Sequence, residues 1–331
     1  MSSERERALR LGLLALLAVV LAVAPFLMNA FRLRLLTEVL IFGLFAASLD
    51  LLVGFTGLVS LGHALAFGVS GYTVGLLATR LTPNATLTLL AGIAVAALVS
   101  LVTGALVVRV RGVYFLMLTL AFGQLGFSLA EQWTGFTGGA NGLPLPVIEL
   151  YPGNALLGNA VGFYYYALIA FVLGYVALRR LVDSPFGRSL VGVRENAERM
   201  RAVGYSVSSY RLAAYCTAGA FAGYGGALYA QQQRFMSPEN VGFETSALVF
   251  VMVVIGGRGT LFGPVLGAGV VLLMQQELSF RFEQWQLLLG GVFIAVVYFL
   301  PRGFGGVSRL LGPAAARMGR TPDEVAPGAS P

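Results

Sequence analysis

The chain is 331 residues long, 57% hydrophobic and only 11% charged, with 43 Gly and a formal net charge of +7. That profile belongs to a polytopic membrane protein rather than a soluble core, and cations spread over the loops between apolar runs exclude a nucleic-acid surface. All 22 basic residues are Arg, so neither a Walker A lysine nor a lysine Schiff base can form, and a single Cys and a single His exclude a disulfide framework and a Cys/His metal cluster.

Residues 1–10 carry Arg5, Arg7 and Arg10 ahead of an apolar run over 11–28, which fits a signal peptide or a first anchor, the anchor being favoured because so many further apolar runs follow. Further spans are predicted over 35–53, 57–78, 86–108, 113–132, 160–178, 208–231, 244–255, 261–275 and 285–300. Most approach the roughly 20 residues that a bilayer requires, and the eighth and ninth are short. The expected fold is therefore all-α, a transmembrane bundle of about ten spans, some short or broken. With the N-terminus inside, only Arg32, Arg34, Arg80, Arg234 and Arg281 fall outside, as the positive-inside rule favours. The long segment 131–159, which contains acids but no Arg, then faces outward. Residues 1–311 are expected to form one membrane domain with both termini cytoplasmic, and the polar, aperiodic tail 312–331 is expected to be disordered.

The densest charge lies in the loop 179–211, with seven Arg and three acids. Pro185 and Gly187 break structure at its start and Gly204 can end a helix, which predicts one short helix over about 193–203. Val193, Ala197, Met200 and Val203 would form its apolar face, with Glu195 to Arg199 and Arg194 to Glu198 as opposite charges four apart, flanking Asn196. Such a helix can rest on lipid headgroups through its Arg residues, or it can seat in a groove of a soluble partner and pass motion into the spans.

Four further features carry candidate chemistry. Gly54-Phe-Thr-Gly-Leu-Val-Ser-Leu-Gly-His-Ala-Leu-Ala-Phe-Gly-Val-Ser-Gly-Tyr72 places Ser60, the sole His63 and many glycines in one span, as tight packing or as irregular backbone beside a translocation path. Thr119 and Gln124 are polar groups within the span of Arg111-Gly-Val-Tyr-Phe-Leu-Met-Leu-Thr-Leu-Ala-Phe-Gly-Gln124, either lining a path or joining helices. Gly259, Gly263 and Gly267 recur every four residues in Gly256-Gly-Arg-Gly-Thr-Leu-Phe-Gly-Pro-Val-Leu-Gly-Ala-Gly269, a flat face for another backbone. Asp50 is an ionisable group in a span, and in an ion-coupled carrier it would be the coupling site.

The loop run Ser184-Pro-Phe-Gly-Arg-Ser-Leu-Val-Gly-Val-Arg-Glu-Asn-Ala-Glu-Arg-Met-Arg-Ala-Val-Gly-Tyr205 resembles the cytoplasmic coupling loop of branched-chain amino acid ABC-transporter permeases of the LivM-like branch. The glycine-rich run 54–72, the segment 111–124 with Thr134-Gly-Phe-Thr-Gly-Gly-Ala-Asn-Gly-Leu-Pro144, and the run 256–269 are similar to motifs of the same family in the same order, so the resemblance covers about 35–306. It implies a non-enzymatic permease subunit in the cytoplasmic (inner) membrane of a prokaryote, importing leucine, isoleucine and valine. It also implies a homologous second permease, two cytoplasmic ATP-binding subunits and an extracytoplasmic substrate-binding protein. ATP would be consumed by those partners and no cofactor bound by this chain, and the residues from Val193 to Gly204 would contact the ATPase. The alternatives are a related importer for urea, amides or other amino acids, an ion-coupled secondary transporter using Asp50, and an intramembrane hydrolase built on Ser60 and His63.

Overall fold

The computed structural model of the chain describes residues 21–150 and 155–279, with isolated positions between 287 and 298. The anchor 11–28 is described only from residue 21 onward, and most of the span 285–300 and the whole tail 312–331 lie outside the described residues. Among the described residues the chain is a helical bundle, and four of its helices are long and apolar enough to cross a membrane.

Helix α1 (Ala30–Asp50) is the centre of that bundle. Past Glu38 its sequence is apolar on nearly every side, which is the pattern of a helix buried all round, and from Leu40 to Asp50 every residue is buried. It packs against the helices α5 (Ala160–Asp183), α8 (Val207–Gln233), α9 (Phe243–Gly256) and α10 (Phe262–Ser279). α1 runs on into a π-helical turn, Leu51–Thr56, which stops at Gly57 with φ 73°.

The predicted span 57–78 is broken. Residues 57–63 are not helical, and α2 begins only at Ala64 and runs to Arg80. A left-handed Gly57 turns the chain, and two of the backbone donors that follow are taken by side chains of other spans. Leu61 N–H reaches Thr119 Oγ1 at 3.3 Å and Ala64 N–H reaches Ser246 Oγ at 3.0 Å. This is the condition under which irregular backbone survives at membrane depth.

Helix α3 (Ala85–Val107) starts at Asn84, whose Oδ1 accepts from Leu87 N–H at 2.9 Å, as an N-cap does. α8 lies against α2 and α3 through small residues, and a Cβ on its Gly226 would collide with the carbonyl of Phe67. Helix α4 (Val113–Gln132) coincides with the predicted span and is the least covered of the long helices. At the bundle end near its C-terminus, the pair β1 (Leu143–Pro144) and β2 (Phe235–Met236) is antiparallel with Leu143 opposite Met236. That pairing and the Arg80 guanidinium, which donates to the Gly135 carbonyl at 2.9 Å and lies over the Phe136 ring, fasten the segment after α4 to the bundle.

The glycine series 256–269 divides into two parts. Gly263 lies on α10 directly against the Gly256 carbonyl of α9, and Gly267 lies against the carbonyl of Met252, so these two form the expected flat face. Gly259 is not on that face. It sits in the loop 257–261 with φ 76°, between Gly257 at φ 100° and Leu261 at φ 56°.

Candidate functional site: the loop between α5 and α8

The single helix expected over 193–203 is two helices, α6 (Pro185–Glu195) and α7 (Ala197–Ala202). Pro185 occupies the first turn of α6 instead of breaking it, with Ser184 Oγ accepting from Gly187 N–H, because a missing N–H costs nothing at that position. Asn196 separates the two. Its backbone is extended (φ −153°, ψ 93°) and its Oδ1 accepts from Arg199 N–H at 2.8 Å, ending one helix and capping the next. The break removes the i,i+4 geometry of Arg194 with Glu198 and of Glu195 with Arg199. The remaining contact among these charges is Arg194 Nη2 to Glu195 Oε1 at 3.9 Å. Gly204 does end α7 in the left-handed region, at φ 94°.

The predicted apolar face is split in the same way. Val193 and Leu190 are buried against this chain's own spans, with Leu190 in the cluster that holds Leu51, Leu52, Leu178 and Tyr215. Ala197 and Met200 are half-buried, Met200 lying against Gly192, and Val203 is 70% exposed. Phe186 stacks on Tyr210 at 5.7 Å and 18°, closing α6 onto the start of α8. α6 is therefore keyed into the bundle. Arg194, Glu195, Asn196, Glu198, Arg199, Val203 and Gly204 remain as an exposed rim.

One residue of that rim reaches inward. Arg194 Nη1 donates to the carbonyl of Gly54, and its side chain lies across Gly57. Gly54 in turn touches Asp50 and Gly259 so closely that a Cβ there would collide with both. Asp50 is wholly buried, and its carboxylate accepts three backbone N–H groups of the loop 257–261. Oδ1 takes Gly259 at 2.7 Å, and Oδ2 takes Thr260 at 3.2 Å and Leu261 at 3.1 Å. Three donors on one carboxylate meet the hydrogen-bond demand of a buried acid. An unbroken chain of contacts thus runs from the loop rim through Arg194, Gly54 and Asp50 to the α9–α10 hairpin. Asp50 is an internal cap on that hairpin's loop. Sequence reasoning singled out Asp50 for its cost in a span but missed its partners, which lie more than 200 residues away in the chain.

The four path candidates are not gathered into one cavity among the described residues. His63 is 4% exposed, stacks on Phe45 at 5.6 Å and 9°, and lies 2.9 Å from Ser48 Oγ through Nε2. Ser48 Oγ also lies 2.7 Å from the Phe45 carbonyl oxygen, and through Ser48 the imidazole is joined to α1. Ser60 is buried, and its Oγ has no hydrogen-bond partner. The Ser60–His63 pair that a hydrolase needs is therefore not made. Thr119 is buried and holds the irregular segment 57–63, and a Cβ on Gly62 would collide with its carbonyl. Gln124, five residues further along α4, is exposed on the opposite side.

Residues 31–297 match the family model described as "Branched-chain amino acid transport system / permease component". The chain is 32% identical over 324 residues, 91% of its length and 76% of the relative's, to the high-affinity branched-chain amino acid transport system permease protein LivM of Salmonella typhimurium. It is also 32% identical over 325 residues to the LivM protein of Escherichia coli K12, with the same coverage. The autoinducer 2 import system permease protein LsrC of Escherichia coli K12 / DH10B is 28% identical over 174 residues, 50% of this chain and 49% of that one. No solved structure matches the chain.

Proposed function

The chain belongs to the branched-chain amino acid transport permease family, and from that premise we propose that it is the membrane subunit of an importer for leucine, isoleucine and valine, driven by separate ATP-binding subunits through the loop 184–206. The observation that carries the coupling role is the double character of the loop. α6 is fixed to the spans by Leu190, Val193 and Arg194, while the rim from Arg194 to Gly204 is left open for a partner. A rigid element keyed on one side and open on the other is suited to carry displacement. Closure of two cytoplasmic ATPases would push α6 and α7, Arg194 would carry the shift to the π-helical end of α1, and the Asp50 cap would pass it to α9 and α10.

The translocation path lies, on this reading, between this chain and a homologous second permease. Gln124, Ser128 and Glu131 recur at i, i+4 and i+7 on α4, and Gln124 and Glu131 are exposed. Polar groups are expensive against lipid, so this stripe is assigned to a polar path or a partner subunit. Thr119 and His63 support it from behind by tying the segment 57–63 to α4 and α1. Solute is delivered by an extracytoplasmic binding protein, and the exposed Arg residues of the loop are suited to anionic lipid headgroups. The longer matches favour branched-chain amino acids over the autoinducer of the half-length relative.

The test is purification of the chain from its native membrane together with topology mapping. Two ATP-binding subunits, a second permease and a binding protein should co-purify. In a Cys216→Ala background, a cysteine at Asn141 should be labelled from outside and one at Asn196 only from the cytoplasm. Labelling of both from the same side contradicts the assignment.

A further inference from the structure

At the end of the bundle remote from Arg194, a cavity of about 330 Å³ opens between the first turns of α1, the start of α5, the end of α8 and α10. That volume is at the lower end of the roughly 300–1,000 Å³ typical of small-molecule sites. Its wall holds both signs of charge. Glu38 lies eight residues into α1, about 12 Å along its axis. Arg34 is one turn above it on the same face, and Arg234 comes from the end of α8 with its Nη2 donating to the Gly158 carbonyl at 3.1 Å. Although Arg34 and Glu38 are at i,i+4 spacing, no ion pair joins them, and Glu38 has no hydrogen-bond partner among the described residues. Gln232 commits its Nε2 to the Arg34 carbonyl at 2.9 Å, which leaves its Oε1 buried without a donor. Among the described residues the cavity thus holds the exposed Arg34 guanidinium with no anion paired to it, the Glu38 carboxylate, and the Gln232 amide oxygen without a donor. Leu35 and Phe163 supply an apolar wall beside them.

We propose that this cavity binds the zwitterionic head of an aliphatic amino acid, its carboxylate toward Arg34 and Arg234, its ammonium toward Glu38 and Gln232, and its side chain against Leu35 and Phe163. The proposal rests on the import reading for the solute, and it adds a receiving site on this subunit, at the end opposite the coupling loop. An ammonium next to an anion is also the chemistry of a phosphatidylethanolamine headgroup, so the lipid is the second possible source of the same ligand.

The experiment uses the complete transporter in nanodiscs without its binding protein and measures equilibrium binding of radiolabelled leucine. In discs of phosphatidylglycerol alone, binding should be saturable, weakened at least tenfold by Glu38→Gln and by Arg34→Gln, and unchanged by Arg32→Gln, an exposed neighbour outside the cavity. If binding persists when phosphatidylethanolamine is added, free amino acid is the occupant. If the lipid abolishes it, the headgroup holds the same site in the membrane. Absence of saturable binding, or equal binding in wild type, Glu38→Gln and Arg34→Gln, overturns the site. Leucine uptake with the binding protein, measured in parallel, keeps the two readings apart. Wild-type uptake with equal binding across the variants defeats the cavity alone, whereas absence of any branched-chain amino acid uptake by wild type defeats the import function.

Discussion

Residues 57–63 break the predicted span 57–78 and residues 257–261 join α9 to α10, both with non-helical, glycine-bearing backbone, and the chain holds them in different ways. The first segment is held by neutral hydroxyls on two different helices, Thr119 on α4 and Ser246 on α9, each taking one N–H. The second hangs on one carboxylate, Asp50, which takes three. A distributed anchor tolerates the loss of one member, whereas a concentrated anchor fails as a unit. It also responds as a unit, and it is the anchor that Gly54 and Arg194 connect to the loop between α5 and α8.

The largest expected effect follows from that concentration. Asp50→Ala leaves one buried and two partly buried N–H groups without an acceptor, at up to about 1–3 kcal/mol each. The purified complex should lose several kcal/mol of stability, read as a collapse of its thermal unfolding midpoint in detergent. Asp50→Asn keeps one acceptor oxygen and should retain most ATP-driven uptake, insensitive to a proton uncoupler. Abolished uptake in an assembled, ATPase-active Asp50→Asn complex would reinstate Asp50 as an ion-coupling carboxylate.

Thr119→Val sharpens the other half of the contrast. It removes one acceptor, that of Leu61 N–H, and should cost about 1–3 kcal/mol on the same unfolding assay while the segment stays held by Ser246. A loss as large as that of Asp50→Ala would show that the two anchors do not differ.

Smaller effects are expected at the loop rim. Val203, 70% exposed, is the apolar residue open to an ATPase, and Val203→Glu should weaken ATPase co-purification by about 1–3 kcal/mol of contact energy. Arg199→Glu alters an exposed charge worth only about 0–1 kcal/mol and should change co-purification less. Neither should alter membrane insertion.

Much of the bundle was legible in the sequence because long apolar runs leave few choices: the expected span 113–132 coincides with α4, and 86–108 and 244–255 differ from α3 and α9 by one residue at each end. The loop was legible in composition but not in conformation. Val193, Ala197, Met200 and Val203 fit a helical period, and that period hid the stronger local signal, an Asn that caps the helix following it. Splitting the helix turned Val193 toward the bundle and left Val203 outside, a distinction that spacing cannot express. The Asp50 cap was illegible for another reason. The sequence shows what a buried carboxylate costs, but the N–H groups that satisfy it belong to a loop brought near only by the packing of α1 against α9 and α10. Likewise Thr119 and Gln124 are alike as polar residues in one span, and only the neighbours of α4 make one an anchor and leave the other exposed.

If partner-driven motion of the loop reaches the spans through Arg194 and the Gly54 carbonyl, Arg194→Ala should uncouple the two. ATP hydrolysis and leucine uptake should be measured together in proteoliposomes containing the complete transporter. Hydrolysis should continue near the wild-type rate while uptake per ATP falls at least about tenfold, the factor equivalent to 1.4 kcal/mol of lost coupling. Unchanged uptake per ATP, whether both rates stay high or fall together, would contradict it.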